Sequence, residues 1–164
     1  MLLARPAQKE QECVLSYLIR VSSVNGFKHV GKLLGGAGLN WKNSRIPSHN
    51  ILSGEYDLGA CLKNLGLPSV TIGSAQVYQA FIRIVDTSHI FVKSPRICPE
   101  CIRENGYCSK DWVYLPIVSC LKHKRLLVDI DGRTGEKLSW YRSCLLYTSP
   151  SPRDQRGSRM PSSA

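Results

Sequence analysis

Cys98-Pro-Glu-Cys101, then eighteen residues, then Cys120-Leu-Lys-His123 is the stretch on which the reading of this chain turns. Two ligand pairs, each with a two-residue gap, suit a four-coordinate zinc: each gap turns both side chains of a pair toward one side of the metal. The long excursion lets the second pair close the tetrahedron. Pro99 stiffens the first knuckle, and thiolates with one imidazole favour zinc over harder cations. With Cys98, Cys101, Cys120 and His123 all supplied by the protein, no position stays open for activated water, so the expected site is structural. The competing reading makes the three cysteines core thiols or disulfide partners, with His123 an exposed basic residue. A redox Cys-x-x-Cys is a third option, but it needs a thioredoxin-like βαβ context that is not visible here. Cys108, midway round the excursion, has no partner at ligand spacing and is expected to be a packed or partly exposed thiol.

Seven cysteines is an odd count, and Met1-Leu-Leu-Ala-Arg-Pro6 does not read as a secretory signal. Both point to a reducing compartment, where this spacing means metal more often than disulfide. The expected location is the cytoplasm. At 164 residues with 43% hydrophobic content, there is room for one small helical domain plus a metal module. No apolar run is long enough for a membrane span. The net charge of +10 suggests polyanionic partners, nucleic acid first. A solvated basic face is the plain alternative.

Outward from the metal stretch, the expected architecture is mainly α: a helical domain over residues 1–92, a zinc-ribbon-like module with a short β-hairpin over 93–142, and a disordered tail over 143–164. The first ten residues read as a flexible lead. From Glu12 the spacing predicts a helix with Val14, Leu15, Leu18, Ile19 and Val21 on one face and Ser16, Arg20 and Ser23 opposite. Asn25-Gly26 stops it. A second helix is expected over Phe27–Leu34, burying Phe27, Val30, Leu33 and Leu34, with Gly35-Gly36 ending it. Residues Ala37–Ser53, with Trp41 and Pro47, read as loop. A third helix is expected over Glu55–Leu65, with Leu58, Cys61, Leu62 and Leu65 on its apolar stripe and Gly66 closing it. After Ser74 a fourth helix is expected, then an extended approach to Cys98. Beyond His123, Arg125–Val128 reads as a strand, with Leu138–Tyr141 as its returning partner across a Gly132/Gly135 turn.

The Ser-, Pro- and Arg-rich segment Cys144–Ala164 has no periodicity and reads as non-native sequence. Without it the charge is still +8. Three other motifs fail. Gly26-x-x-x-x-Gly31-Lys32 nearly spells a phosphate-binding loop, but Leu33 stands where Ser or Thr would hold magnesium, and a helix precedes it rather than a strand. A nucleobase deaminase needs His-x-Glu upstream of Pro-Cys-x-x-Cys, and no histidine here is followed by such a glutamate. No residue is marked as a nucleophile, so no enzymatic activity is expected. His29, His49 and His89 stand alone. Lys122, Lys124 and Arg125 flank His123 and either contact phosphates or offset the charge of a three-thiolate site.

The residues from Ile97 through Cys98-Pro-Glu-Cys101, Glu104-Asn-Gly-Tyr107 and Trp112, followed by Cys120-Leu-Lys-His123 and Leu126-Leu127, resemble the zinc region of the TniQ/TnsD family. Leu3-Ala-Arg-Pro6, Ser16-Tyr-Leu-Ile-Arg20 and Asn25-Gly-Phe27 are similar to that family's opening helical domain. The resemblance covers about Leu3 to Arg142. It implies a non-catalytic target-selection factor of bacterial transposition, a DNA recombination process. Such a factor recognises an attachment site on DNA or an RNA-guided CRISPR effector complex, and recruits the transposon's AAA+ ATPase and transposase, in some systems as a homodimer. It carries Cys98, Cys101, Cys120 and His123 over as zinc ligands. Two features depart from the pattern: Asp131-Gly-Arg-Thr134-Gly135 stands where a second cysteine pair is common, and known members run longer. The chain is therefore expected to be an N-terminal fragment. The alternative function is a free-standing zinc-ribbon transcription regulator that binds nucleic acid.

Overall fold

In the computed structural model of the chain, residues 2–38, 51–52, 56–71, 90–132 and 134–140 are described. Helix α1 spans Val14–Val24, and its N-cap is Cys13, whose sulfur accepts the Ser16 amide at 3.4 Å. The apolar face expected of it is buried, yet so are Ser16, Tyr17 and Ser22. A helix covered on nearly all sides belongs to the centre of a fold. Ser16, expected on the solvent side, is buried because its Oγ accepts the Cys108 amide at 3.2 Å.

The chain leaves α1 where Asn25-Gly26 predicts, with Gly26 left-handed at φ 74°. Gly26 donates to the Ser23 carbonyl and Phe27 to that of Ser22, the paired bonds of a Schellman stop. That stop corrects the start of the second helix: Phe27 is spent closing α1, is partly exposed, and α2 spans Val30–Gly35. Val30, Leu33 and Leu34 are buried as expected, and Gly36 is the C-cap. Ile51 and Leu52, placed by the sequence in a loop, are helical and buried. Trp41 and Pro47 lie outside the described residues.

Helix α3 spans Leu58–Asn64, shorter than expected because Asp57 caps it, its Oδ1 accepting the Ala60 amide at 2.8 Å. It ends at Gly66 (φ 65°) with the same pair of closing bonds, from Gly66 to Lys63 and from Leu67 to Leu62. The helix expected after Ser74 and the tail fall outside the described residues. No helix among those described is long and apolar enough to cross a membrane.

The opening residues, expected to be a loose lead, are tied down. The Asn25 side chain accepts the Leu3 and Ala4 amides, each at 2.9 Å, and donates to the Ala4 and Val21 carbonyls. Gln8 exchanges two hydrogen bonds with the Thr71 backbone. A fully buried Glu12 carboxylate takes Arg20 Nη2 at 2.6 Å and Nε at 3.0 Å, plus the Lys9 amide.

Residues 90–97, expected to be extended, bend at 93–94 on the way to the metal stretch and pair only locally with the chain that returns from it: Val92 donates to Val113 and Leu115 to Ile90. Helix α4, Pro99–Asn105, follows from its sequence. Pro99 occupies the first turn, where its missing N–H costs nothing, and Gly106 supplies a left-handed stop at φ 71°. A 3-10 turn at Lys110–Val113 buries Trp112 and Val113. Strands β1 (Ser119–Cys120) and β2 (Arg125–Leu126) then form an antiparallel hairpin, Ser119 opposite Leu126 and Cys120 opposite Arg125. This corrects the expected pairing of 125–128 with 138–141: β2 folds back on the residues just before the ligand turn. The expected return across the Gly132/Gly135 turn does occur, but onto 129–131: Leu138 donates to Asp129 at 2.7 Å, Asp131 to Glu136 at 2.9 Å, and Ile130 bridges Lys137, while Val128 bridges Ile97.

Residues on both sides of the boundary expected at 92/93 contribute to one buried cluster, which runs from Leu15, Tyr17 and Leu18 of α1 to Ile97, Ile102 and Trp112. Backbone bonds stitch them together: Cys13 donates to Cys108 at 2.9 Å and Lys110 to Gln11 at 2.9 Å.

Candidate metal centre

Cys98 is the N-cap of α4, and Cys101 lies in its first turn. Cys120 ends β1, and His123 sits in the turn between β1 and β2. That turn closes because Lys124 takes a left-handed backbone (φ 48°). The exchanged bonds between Ile97 and Val128, each 2.8 Å, clamp the two knuckles together.

The four donor atoms all lie within 4.8 Å of one another. His123 Nδ1 is 3.4 Å from Cys98 Sγ, 3.2 Å from Cys101 Sγ and 3.7 Å from Cys120 Sγ, and the Cys101 and Cys120 sulfurs are 3.6 Å apart. Bonds of about 2.3 Å to sulfur and about 2.0–2.1 Å to nitrogen put the edges of a tetrahedron at about 3.6–3.8 Å. The donor set therefore fits a single four-coordinate ion, and the group can hold one metal. Disulfides are not formed: each of the three is a free, buried cysteine.

The proton inventory of the metal-free group follows from its surroundings. Burial pushes the Cys101 thiol up to about 12, with the neighbouring sulfurs adding to it. Burial likewise raises Cys98. For Cys120, burial opposes ionisation, but the His123 amide and ring and the two other sulfurs outweigh it and bring the thiol down to about 7. The hydrogen bond to Cys120 raises His123 against the opposing effect of burial, and Glu104 raises it further. Without metal the site thus stores protons on Cys98 and Cys101, which a cation must displace.

Two residues not expected at the site appear beside it. Glu104 Oε1 lies 3.1 Å from His123 Nε2, and its Oε2 pairs with Lys122. Glu100 Oε2 lies 3.3 Å from Cys98 Sγ, and its Oε1 pairs with Arg125. Glu100 and Glu104 stand four apart on α4, one turn of the same face. Their spacing, set against Lys122 and Arg125, was the available signal. Two of the three basic residues proposed as phosphate contacts are thus engaged by α4 carboxylates. Cys108 is buried, and its amide and carbonyl are both used in joining α1. His29 is the N-cap residue of α2, and His49 and His89 lie outside the described residues.

Among the described residues, helices pack on a hairpin-closed Cys3His group that could hold one metal ion. The sequence profile of the TniQ family matches residues 3–127, well over half the chain. The chain belongs to the TniQ family, whose members are non-catalytic adaptors of transposition. No curated protein matches it.

Proposed function

We propose that this chain acts as a target-site selection adaptor for DNA transposition, mainly α in architecture, with one structural Zn2+ held by Cys98, Cys101, Cys120 and His123. It recognises target DNA or an RNA-guided effector complex on DNA, and recruits the transposon AAA+ ATPase and transposase. It works in the cytoplasm without catalysing a reaction itself. The family match over residues 3–127 carries this reading.

Two physical features support it. The charge of +10 favours a polyanion. The hairpin at the metal knuckle bears large apolar side chains turned to solvent: Leu121 is 90% exposed and Leu126 69%, with Val118 and Leu115 nearby. Such a cluster on a rigid support suits a protein partner.

The test is reconstitution with the cognate ATPase, transposase and target. Insertions at the target are expected to require this chain and to fall away with Leu121→Ala/Leu126→Ala, while binding to DNA persists and weakens steeply with salt. Target-directed insertion that proceeds equally well without the chain would reject the adaptor role and leave the transcription regulator as the reading.

A further inference from the structure

We infer that Glu104 is the positioning residue of the metal centre: its carboxylate holds the Nε2 hydrogen of His123, so that the ring is fixed with Nδ1 on the three sulfurs. The inference rests on the zinc reading above and goes beyond the four ligands. A neutral imidazole carries one proton, and an ionised carboxylate only accepts. With Nε2 at 3.1 Å from Glu104 Oε1, the proton belongs on Nε2 and the lone pair on Nδ1, which lies 3.2–3.7 Å from the three sulfurs. A rotation of the ring about its bond to Cβ would break both arrangements at once.

The backbone explains why this glutamate is available. Glu104 follows the ligand Cys101 by three residues on α4, so both project from one side of the helix. The same short helix therefore delivers a sulfur to the metal and an acceptor to the ring that completes the tetrahedron. Lys122, the residue before His123, pairs with the second oxygen of the carboxylate. Glu104 thus spans two consecutive residues of the opposite knuckle. Its side chain is 43% exposed, so its removal opens no cavity in the core and should leave the fold intact. Outer partners of this kind set ligand orientation and basicity, and their loss commonly weakens metal binding.

The test uses the full chain, loaded with zinc, in four forms: wild type, Glu104→Ala, Glu104→Gln and Lys122→Ala. Two quantities are read: zinc affinity against a chromophoric chelator, and the His123 Nε2 proton by NMR. In the wild type that proton is expected to be visible and slow to exchange with water. Glu104→Ala is expected to lose the signal to exchange and to bind zinc about 10- to 100-fold more weakly. Glu104→Gln, which keeps an acceptor oxygen, is expected to retain the proton signal and most of the affinity. Lys122→Ala keeps the carboxylate on the ring and is expected to stay near wild type. Wild-type affinity and an unchanged proton in Glu104→Ala would overturn the inference. So would a loss in Lys122→Ala as large as in Glu104→Ala, because the carboxylate would then act by bracing the knuckle. A wild-type chain that takes up no zinc would overturn the metal reading as well, which separates the two failures.

Discussion

Cys13 has no solvent exposure; its amide donates to Cys108 and its sulfur caps α1. Burial pushes its thiol from 9.0 up to about 12, the Ser16 amide opposing and Glu12 adding. The sign of the consequence is fixed by linkage. Between pH 9 and about 12 the unfolded chain has shed a proton that the native chain keeps, so stability is full below 9 and declines above it. Three pKa units correspond to roughly 4 kcal/mol at most. Urea unfolding on either side of pH 9 is expected to show the decline, and Cys13→Ala, though weaker overall, should show a shallower slope. Equal slopes would mean that Cys13 does not carry the effect. A second residue-scale outcome concerns Arg20, which the sequence placed on a polar face without a partner. Arg20→Ala strands the Glu12 carboxylate inside the protein and is expected to cost about 3–5 kcal/mol. Replacing both residues by Met should recover much of that loss, measured in the same denaturation series. The pair was not legible because Glu12 lies before the helix, and only the path of the lead turns its carboxylate onto Arg20.

Among the elements, what the sequence disclosed was the set of stops and apolar stripes. Asn25-Gly26 and Gly66 end their helices where expected, and Leu58, Cys61 and Leu62 are buried as their spacing required. The polar side of α1 departs from its expected exposure for a definite reason: hydrophobic periodicity assigns Ser16 to water, but a distant amide at Cys108 claims its hydroxyl. The hairpin at β2 differs from the expected one in its partner rather than in its strand. Apolar runs at 125–128 and 138–141 looked matched, yet the ligand pair itself makes the shorter turn, and loop closure favours the nearer strand. That turn places Lys124 in a left-handed backbone, which costs a non-glycine residue roughly 1–2 kcal/mol. Lys124→Gly is therefore expected to raise the thermal midpoint or slow metal loss, and Lys124→Ile to lower it. A Lys124→Ile chain with wild-type melting would show that the turn does not constrain the hairpin.

For the molecule as a whole, the two pairs whose donor atoms come within 4.8 Å of one another stand out in the sequence, since residue chemistry and spacing are local properties. The way the metal stretch packs on the helices does not, because nothing in a periodic pattern tells α1 that Ser16 meets the Cys108 amide or that its apolar residues share one buried cluster with Ile102 and Trp112. One buried cluster through both halves has a thermodynamic consequence. If metal holds the knuckles together, its removal should not melt residues 97–128 alone, because α1 loses its covering at the same time. Chelation is expected to lower the melting temperature of helical circular dichroism and thiol exposure together, in one transition, as binding to the native state alone requires. Acid should act in the same direction. In the metal-free form Cys98 and Cys101 keep their protons at neutral pH, the latter up to about 12. Metal must displace both, so affinity rises with pH, on the order of a hundredfold per pH unit for two protons, and falls more steeply on acidification once Cys120, at about 7, and His123, raised above its usual value, are protonated too. The midpoint of the single transition should therefore drop as pH is lowered at fixed zinc. Two separate transitions, with helicity surviving complete metal loss, would instead assign residues 1–92 and 93–142 to independent folding units and limit the ion to the second.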